Sequence, residues 1–476
     1  MRKILLCAAS ALAMSVSSAA LAQSTSTVNQ SNTGNSAIVD QSASGAGGAS
    51  LVNQSGASNA ATVTQSDDGS NFSAGSIPPA SDSTVDQTGD NNIANVAQDT
   101  TISFNPNSSS VSQSGNGNMA DVAQLDDENS SIIDQSSDNN VATVQQGDAT
   151  AALSDESWGN SSSIAQGGAG SHTANVSQPG RVNNSSVDQM GDTDSATVTQ
   201  SGVGNGSSIL QTGLANAALV TQSGDGNASD VVQDGENVIA TVDQSGNANT
   251  SLVDQTSPGG IRPIDSEVYV GQAGDNNDSQ VFQRANQGYA EVLQNGTNSS
   301  AMVKNYGNRS AAYVSQLAGD DNEATIEQRG EDSFALAYQT GDRNSASINQ
   351  REDSPPTEAF QAAIYQTGDD NQSSIDQDGD NHIAVNEQTG DFNESSILQT
   401  GSSSYAGVGQ YGDNNGSDVT QAGSGEYALV LQYGDGNRSS VNQSGNSNTA
   451  FVTQLSNGNV STVLQSGSFN SATVTQ

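Results

Sequence analysis

Few residues in this 476-residue chain could do chemistry. His172 and His382 are the only histidines, and Cys7 is the only cysteine. A histidine can act as a base or a metal ligand near neutral pH. Both of these stand six residues before a glutamine of a regular series, where asparagine is the usual resident, so each reads as a substituted structural position. Serines are abundant, but none sits in the Gly-x-Ser-x-Gly elbow of a hydrolase. Paired acids such as Asp126 and Asp127 read as solvated turn charge. Beyond Lys3 the only lysine is Lys304, and no glycine-rich phosphate loop precedes it. No catalytic site, no cofactor and no enzyme activity is assigned.

Charge narrows the field further. Against 52 acidic residues stand 11 basic ones, a net charge of −41, which opposes binding to nucleic acid. Acidic turns that repeat along a chain raise the question of calcium. The calcium-binding β-roll, however, uses a nine-residue Gly-Gly-x-Gly-x-Asp repeat, and the period here is eleven. Divalent ions are therefore expected to screen the surface loosely, and no metal site is assigned.

The N-terminus reads as a targeting segment. Arg2 and Lys3 precede an apolar run from Ile4 to Val16, and Ala20-Leu21-Ala22 offers a cleavage site, so residues 1–22 are expected to be a signal peptide. Cleavage would remove Cys7 and two basic residues, leaving 9 basic against 52 acidic side chains, a charge of −43 and no thiol. No later stretch has the apolar length of a membrane-spanning helix. The expected location is extracellular or at the cell surface.

The elements that position the remaining residues follow from an internal repeat. Gln366, Gln377, Gln388, Gln399, Gln410, Gln421, Gln432, Gln443, Gln454, Gln465 and Gln476 are eleven apart, and from Gln30 onward the series makes 38 units, with Asn305 replacing glutamine once. Two residues earlier stands Val or Ile in 36 of the 38, the exceptions being Ala337 and Asn386. A period of eleven could describe a right-handed helical coil, but the recurring residues are spaced by two, as in Asn448, Ala450, Val452 and Gln454, which is strand periodicity. Segments such as Tyr433-Gly434-Asp435-Gly436 between them are turn formers.

Units come in two kinds. Four residues before the glutamine the residue alternates, as in Ser185, Ala196, Ser207, Ala218, Ser229 and Ala240. Two units thus make one coil of 22 residues. The chain is expected to be all-β, a β-solenoid of about 19 stacked strand-turn-strand rungs in which Ser-type and Ala-type strands form two parallel sheets, of either hand. At roughly 4.8 Å per rung the rod would be on the order of 90 Å long. Residues 23–476 form one solenoid in this reading. Insertions near 66–80, 99–106, 147–158, 256–264 and 351–357 hold seven of the eight prolines and are expected to leave the rod as loops; Trp158 in one of them reads as local packing.

Alternate side chains point the same way, so Asn/Ser, Ala/Ser, Val/Ile and Gln should face the space between the sheets. Identical amides stacked rung on rung can donate to and accept from each other, whereas an unpartnered buried amide costs roughly 1 to 3 kcal/mol. That cost is what holds the glutamine to its spacing. Outward positions read Thr197 and Thr199, Asn386 and Glu387, or Leu429 and Leu431, with no regular threonine array of the kind an ice-binding face would need. In the turns, Asp369, Asp391, Asp413 and Asp435 are 22 apart and are expected to form a carboxylate column in which like charges raise one another's pKa.

The pattern Asn-x-Ala-x-Val-x-Gln at Asn448 to Gln454, and Ser404, Gln410, Asn415 and Gln421 in the spacing Ser-x5-Gln-x4-Asn-x5-Gln, resemble the curlin repeat of curli subunits. The resemblance extends over nearly all of residues 24–476. It implies an extracellular amyloid subunit of biofilm matrix fibres, with a nucleator subunit and an outer-membrane secretion pore as partners. The chain differs from a typical curli subunit in its many rungs and its frequent Asn where the family has Ser. It also has no distinct leader before the first repeat. Two other readings stand beside a self-polymerising fibre subunit: a monomeric solenoid displayed as an adhesin, and a chain disordered until it meets a template. Uncapped ends, with Ser24 and Gln476 both in inward positions, favour end-to-end stacking of copies.

Overall fold

Alternation with a period of two, punctuated every eleven residues by turn formers, gives short strands and nothing else. The structure is a computed structural model describing residues 24–42, 47–67, 81–100, 106–147, 159–257, 262–351 and 359–476. Residues 1–22, Trp158, most of four insertions and residues 258–261 of the fifth lie outside the described residues. Among the described residues thirty-eight strands, one for each unit, run from β1 (Thr25–Ser31) and β2 (Ser36–Asp40) to β37 (Val460–Ser468) and β38 (Ser471–Thr475).

Every strand pairs in parallel with the strand two further along the chain, so odd and even strands form separate 19-stranded sheets. Both ladders are open, since β1, β2, β37 and β38 each have a single partner. Register is identity on identity. Ser26, Val28 and Gln30 lie beside Ser50, Val52 and Gln54, and Ala196, Val198 and Gln200 beside Ala218, Val220 and Gln222. A slip of one residue would turn the whole inward set to solvent. Insertions leave between strands without breaking the pairing: β9 (Ser130–Gln135) pairs with β11 (Ser161–Gln166) across residues 148–158. Two insertions start later than their sequence suggests, because β4 (Ala60–Asp67) and β6 (Ile93–Thr100) stay paired through Asp67 and Thr100.

The core is one layer of side chains thick. The inward Val and Ile residues are almost wholly buried from Val52 to Val463, each contributing about 1.5–3 kcal/mol relative to exposure. With so few aromatic residues inside, the sheets approach closely enough for short side chains to fill the gap. Asn386 corrects the sequence reading that placed it outward: it is fully buried in the position of a core valine, and its amide donates to the Ser373 hydroxyl of the facing sheet. Glycine two residues after the glutamine has a steric cause. A Cβ on Gly202, where φ is 115°, would lie 2.0 Å from the carbonyl oxygen of Gly224 one rung away.

Candidate functional site: the amide ladders and the acidic column

Each ladder glutamine sits at the end of its strand, where the chain turns toward the other sheet. Its side chain can therefore serve two strands at once. Nε2 of Gln222 donates to Oε1 of Gln244 on the next rung at 2.8 Å, and also to the Gly206 carbonyl at the start of the facing strand at 2.9 Å. In the even sheet the chain of amide bonds is continuous from Gln41 to Gln476, beginning at 2.6 Å and ending at 3.1 Å. The cross-sheet bond recurs 16 residues back along the chain, as in Gln200 to Asn184 and Gln410 to Glu394. Sequence reasoning found the ladder and missed this second bond, which fastens the two sheets together.

In the odd sheet the ladder fails at one place. Asn305 is one methylene shorter than glutamine and spends its amide on the carbonyls of Tyr289 and Ser310. Gln283 Nε2, Asn305 Oδ1 and Gln328 Oε1 are left buried without a partner. The ladder resumes from Gln328 to Gln350 at 3.0 Å.

Some corner asparagines stack amide on amide as expected, Asn371, Asn393 and Asn415 each donating from Nδ2 to Oδ1 of the asparagine one rung before at 3.1 Å, but corner asparagines also bond the backbone of neighbouring rungs. Oδ1 of Asn205 accepts the backbone N–H of Asn227 at 2.9 Å, and Nδ2 donates to the Gly224 carbonyl at 2.8 Å. The side chain replaces ladder bonds where the backbone turns. His172 occupies such a corner and fills the same two roles. Its Nδ1 accepts the N–H of Asp194 at 3.2 Å, and its Nε2 lies 2.7 Å from the Gly167 carbonyl, which places the ring proton on Nε2. His382 likewise accepts from Ser404 N–H, and burial pushes its pKa down.

Two carboxyls also hold corners, and the sequence reading missed both. Asp194 and Glu426 are buried where asparagine would stand. Oδ1 of Asp194 accepts the Asn216 N–H at 2.9 Å, while its Oδ2, 3.7 Å from His172 Nδ1, has no donor. Asn448 donates to Oε1 of Glu426 at 3.2 Å, and Oε2 has no donor. Burial raises the pKa of both groups. Their signal in the sequence was an acid six residues before a ladder glutamine.

The structure brings Asp369, Asp391, Asp413 and Asp435 into one column. Each carboxylate accepts the backbone N–H of the aspartate before it, Asp369 to Asp391 and Asp391 to Asp413 at 2.9 Å, and Asp413 to Asp435 at 3.0 Å. Asp320 and Asp342 extend the column at one end and Asn457 at the other. Those N–H bonds stabilise the negative charge that repulsion between rungs opposes, a contribution not legible from spacing. Among the described residues no group of three or more His, Cys, Asp or Glu side chains is placed to hold a metal ion.

The closing rungs combine all these features: unbroken glutamine ladders, corner asparagines, glycine turns and the acidic column. Residues 319–351, 387–412, 412–445 and 445–476 match the curlin associated repeat. These segments of the rod are similar to curlin repeats. No curated protein matches the chain. In the last rungs the odd strands lengthen to nine residues, as in β31 (Glu394–Ser402), because pairing continues through Gly401 and Gly423 into the turn. No helix among the described residues is long and apolar enough to cross a membrane.

Proposed function

We propose that the protein is a secreted structural subunit, not an enzyme, whose copies stack end to end into curli-like amyloid fibres that serve adhesion and the biofilm matrix. The observation that carries this reading is that the outermost rungs repeat the inner ones. Ser26, Val28 and Gln30 with Ala37, Val39 and Gln41 at one end match Ser461, Val463 and Gln465 with Ala472, Val474 and Gln476 at the other. A second copy placed on β37 and β38 would meet identical neighbours in identical register. Gln465 and Gln476 would donate to Gln30 and Gln41, as Gln443 donates to Gln465. Such a contact is polar, because all amide bonds of a ladder run one way. A nucleator subunit and an outer-membrane pore are the partners that the curlin resemblance adds, and export through the N-terminal segment is part of the same proposal.

The test is fibre diffraction of the protein lacking residues 1–22. Unbranched fibres with an axial reflection near 4.8 Å are expected. A protein that stays monomeric at high concentration overturns the proposal in favour of a displayed adhesin.

A further inference from the structure

All ten tyrosines lie beyond residue 268, and all but Tyr306 project from the outer face of the even sheet. Phe334, Ile383, Leu429, Leu431 and Phe451 share that face. On the same rungs the odd sheet turns out Glu327, Asp376, Asp418 and Arg438 instead. This half of the rod is therefore amphipathic from sheet to sheet, although interior packing requires nothing of its outer faces.

The apolar face is also levelled. Gly407 and Gly409 lie beneath the leucines of the next rung, and a Cβ on Gly407 would come 3.0 Å from Leu429 Cδ1. Tyr405 and Tyr427 stack with centroids 4.8 Å apart at 14°, and Tyr411 and Tyr433 at 5.1 Å and 15°. Their ring faces cover one another along the rod, leaving edges and hydroxyls outermost. A sugar polymer would need open ring faces; a second flat sheet does not. Tyr433 nevertheless remains 42% exposed and Phe451 38%.

We propose that the outer face of the even sheet, from β20 (Glu267–Gln272) to β36 (Thr449–Gln454), is an isologous interface where two copies of this chain pack sheet on sheet. Nine strands of six to eight residues give a strip of roughly 43 Å by 20 Å, about 850 Å² on each partner, the size of a standard stable interface. The partner must be a surface of sparse charge, because the net charge of −41 makes a second rod repel from the acidic outer face of the odd sheet on these rungs. Two of the three acids within the strip are already engaged: Tyr289 donates to Glu291 at 2.9 Å, and partial burial with the Glu387 hydrogen bond pushes the Tyr411 pKa up to about 12, while Glu267 is exposed at the end of the strip. A two-fold axis lets one strip serve both partners, and the contact does not depend on end-to-end stacking.

The experiment compares the protein lacking residues 1–22 with a variant carrying L429T, L431T, Y433T and F451T, and with a control carrying L398T and L464T on the odd sheet. Sedimentation of the soluble protein should show a dimer for parent and control, and at least a tenfold weaker dimer for the strip variant. Circular dichroism checks that all three keep the same β content. In fibres, mass per length should be twice that of one rod for the parent and fall to one rod for the strip variant, with the axial reflection unchanged. A monomeric parent, equal dimerisation of parent and strip variant, or a monomer that binds phosphatidylcholine vesicles through this strip would overturn the proposal. Failure of fibre growth with the dimer intact would count only against end-to-end stacking.

Discussion

Rungs up to Gln255 and rungs from Glu267 onward share an interior and differ outside. Both halves run Ser or Ala, then Val or Ile, then Gln inward, in one register. Outward, the first half shows small polar residues, as in Thr197 and Thr199, where the second shows Tyr405 and Leu429. Ion pairs differ as well. Arg309 with Asp332, Arg343 with Asp370 and Arg351 with Asp376 all reach 2.7 Å in the second half, though exposed pairs like these add only about 0–1 kcal/mol each. Fold and surface are thus written in alternate residues of the same strands, and the surface can change midway while the fold does not.

The two halves also differ in the integrity of their interiors. The odd-sheet ladder is continuous from Gln30 to Gln283, and the fault at Asn305 lies just inside the second half. Length of strand runs the other way, with nine-residue strands confined to the last rungs. A perfect ladder is therefore not needed at every rung, provided its neighbours hold the register.

The largest effect should come from the growing end. Replacing Ala472 and Val474 by lysine puts unpaired charge where the next copy must pack, and seeded elongation should slow at least tenfold. The same pair of changes at the outward Thr473 and Thr475 should leave it within about twofold. Equal slowing would mean that the inner face does not make the contact.

Repairing the fault should come next. Asn305→Gln restores the missing methylene and gives partners to three buried polar atoms, so stability should rise by about 1–3 kcal/mol in denaturant unfolding. Amide exchange should slow around Gln283 and Gln328. No change in either would show that the orphaned atoms are satisfied by water.

A smaller effect is expected at the two corner carboxyls. Burial raises the folded pKa of Asp194 and Glu426 above their unfolded values. The folded state then holds its protons longer. Their contribution is full below the unfolded pKa, about 4, and is lost as pH rises through the folded values. Asp194→Asn with Glu426→Gln should add about 1–2 kcal/mol near pH 7 and flatten the decline above about pH 4. An unchanged pH profile in unfolding experiments would remove both groups as its source.

The smallest effect belongs to the acidic column. Changing Asp369, Asp391, Asp413 and Asp435 to Asn keeps an acceptor for each backbone N–H and removes four of 52 acidic charges. Assembly in low salt at pH 7.5 should quicken by a few fold and depend less on salt than in the parent. Equal salt dependence of the two rates would leave diffuse net charge as the cause.

The period of eleven, the two strand types and the inward set could be read without coordinates, because a repeat that stacks on itself makes neighbours in sequence pattern neighbours in space. Thus Gln222 was certain to meet Gln244 once the coil length was 22. Relations across the gap between sheets were hidden, since nothing in spacing along one strand states what faces it. The bond from Gln222 to Gly206, the burial of Asn386 beside Ser373 and the single carboxyl oxygens left without a donor at Asp194 and Glu426 were decided by tertiary structure. So was the collection of tyrosines onto one face, for which the sequence held the positions but only the two-sheet arrangement assigned the side.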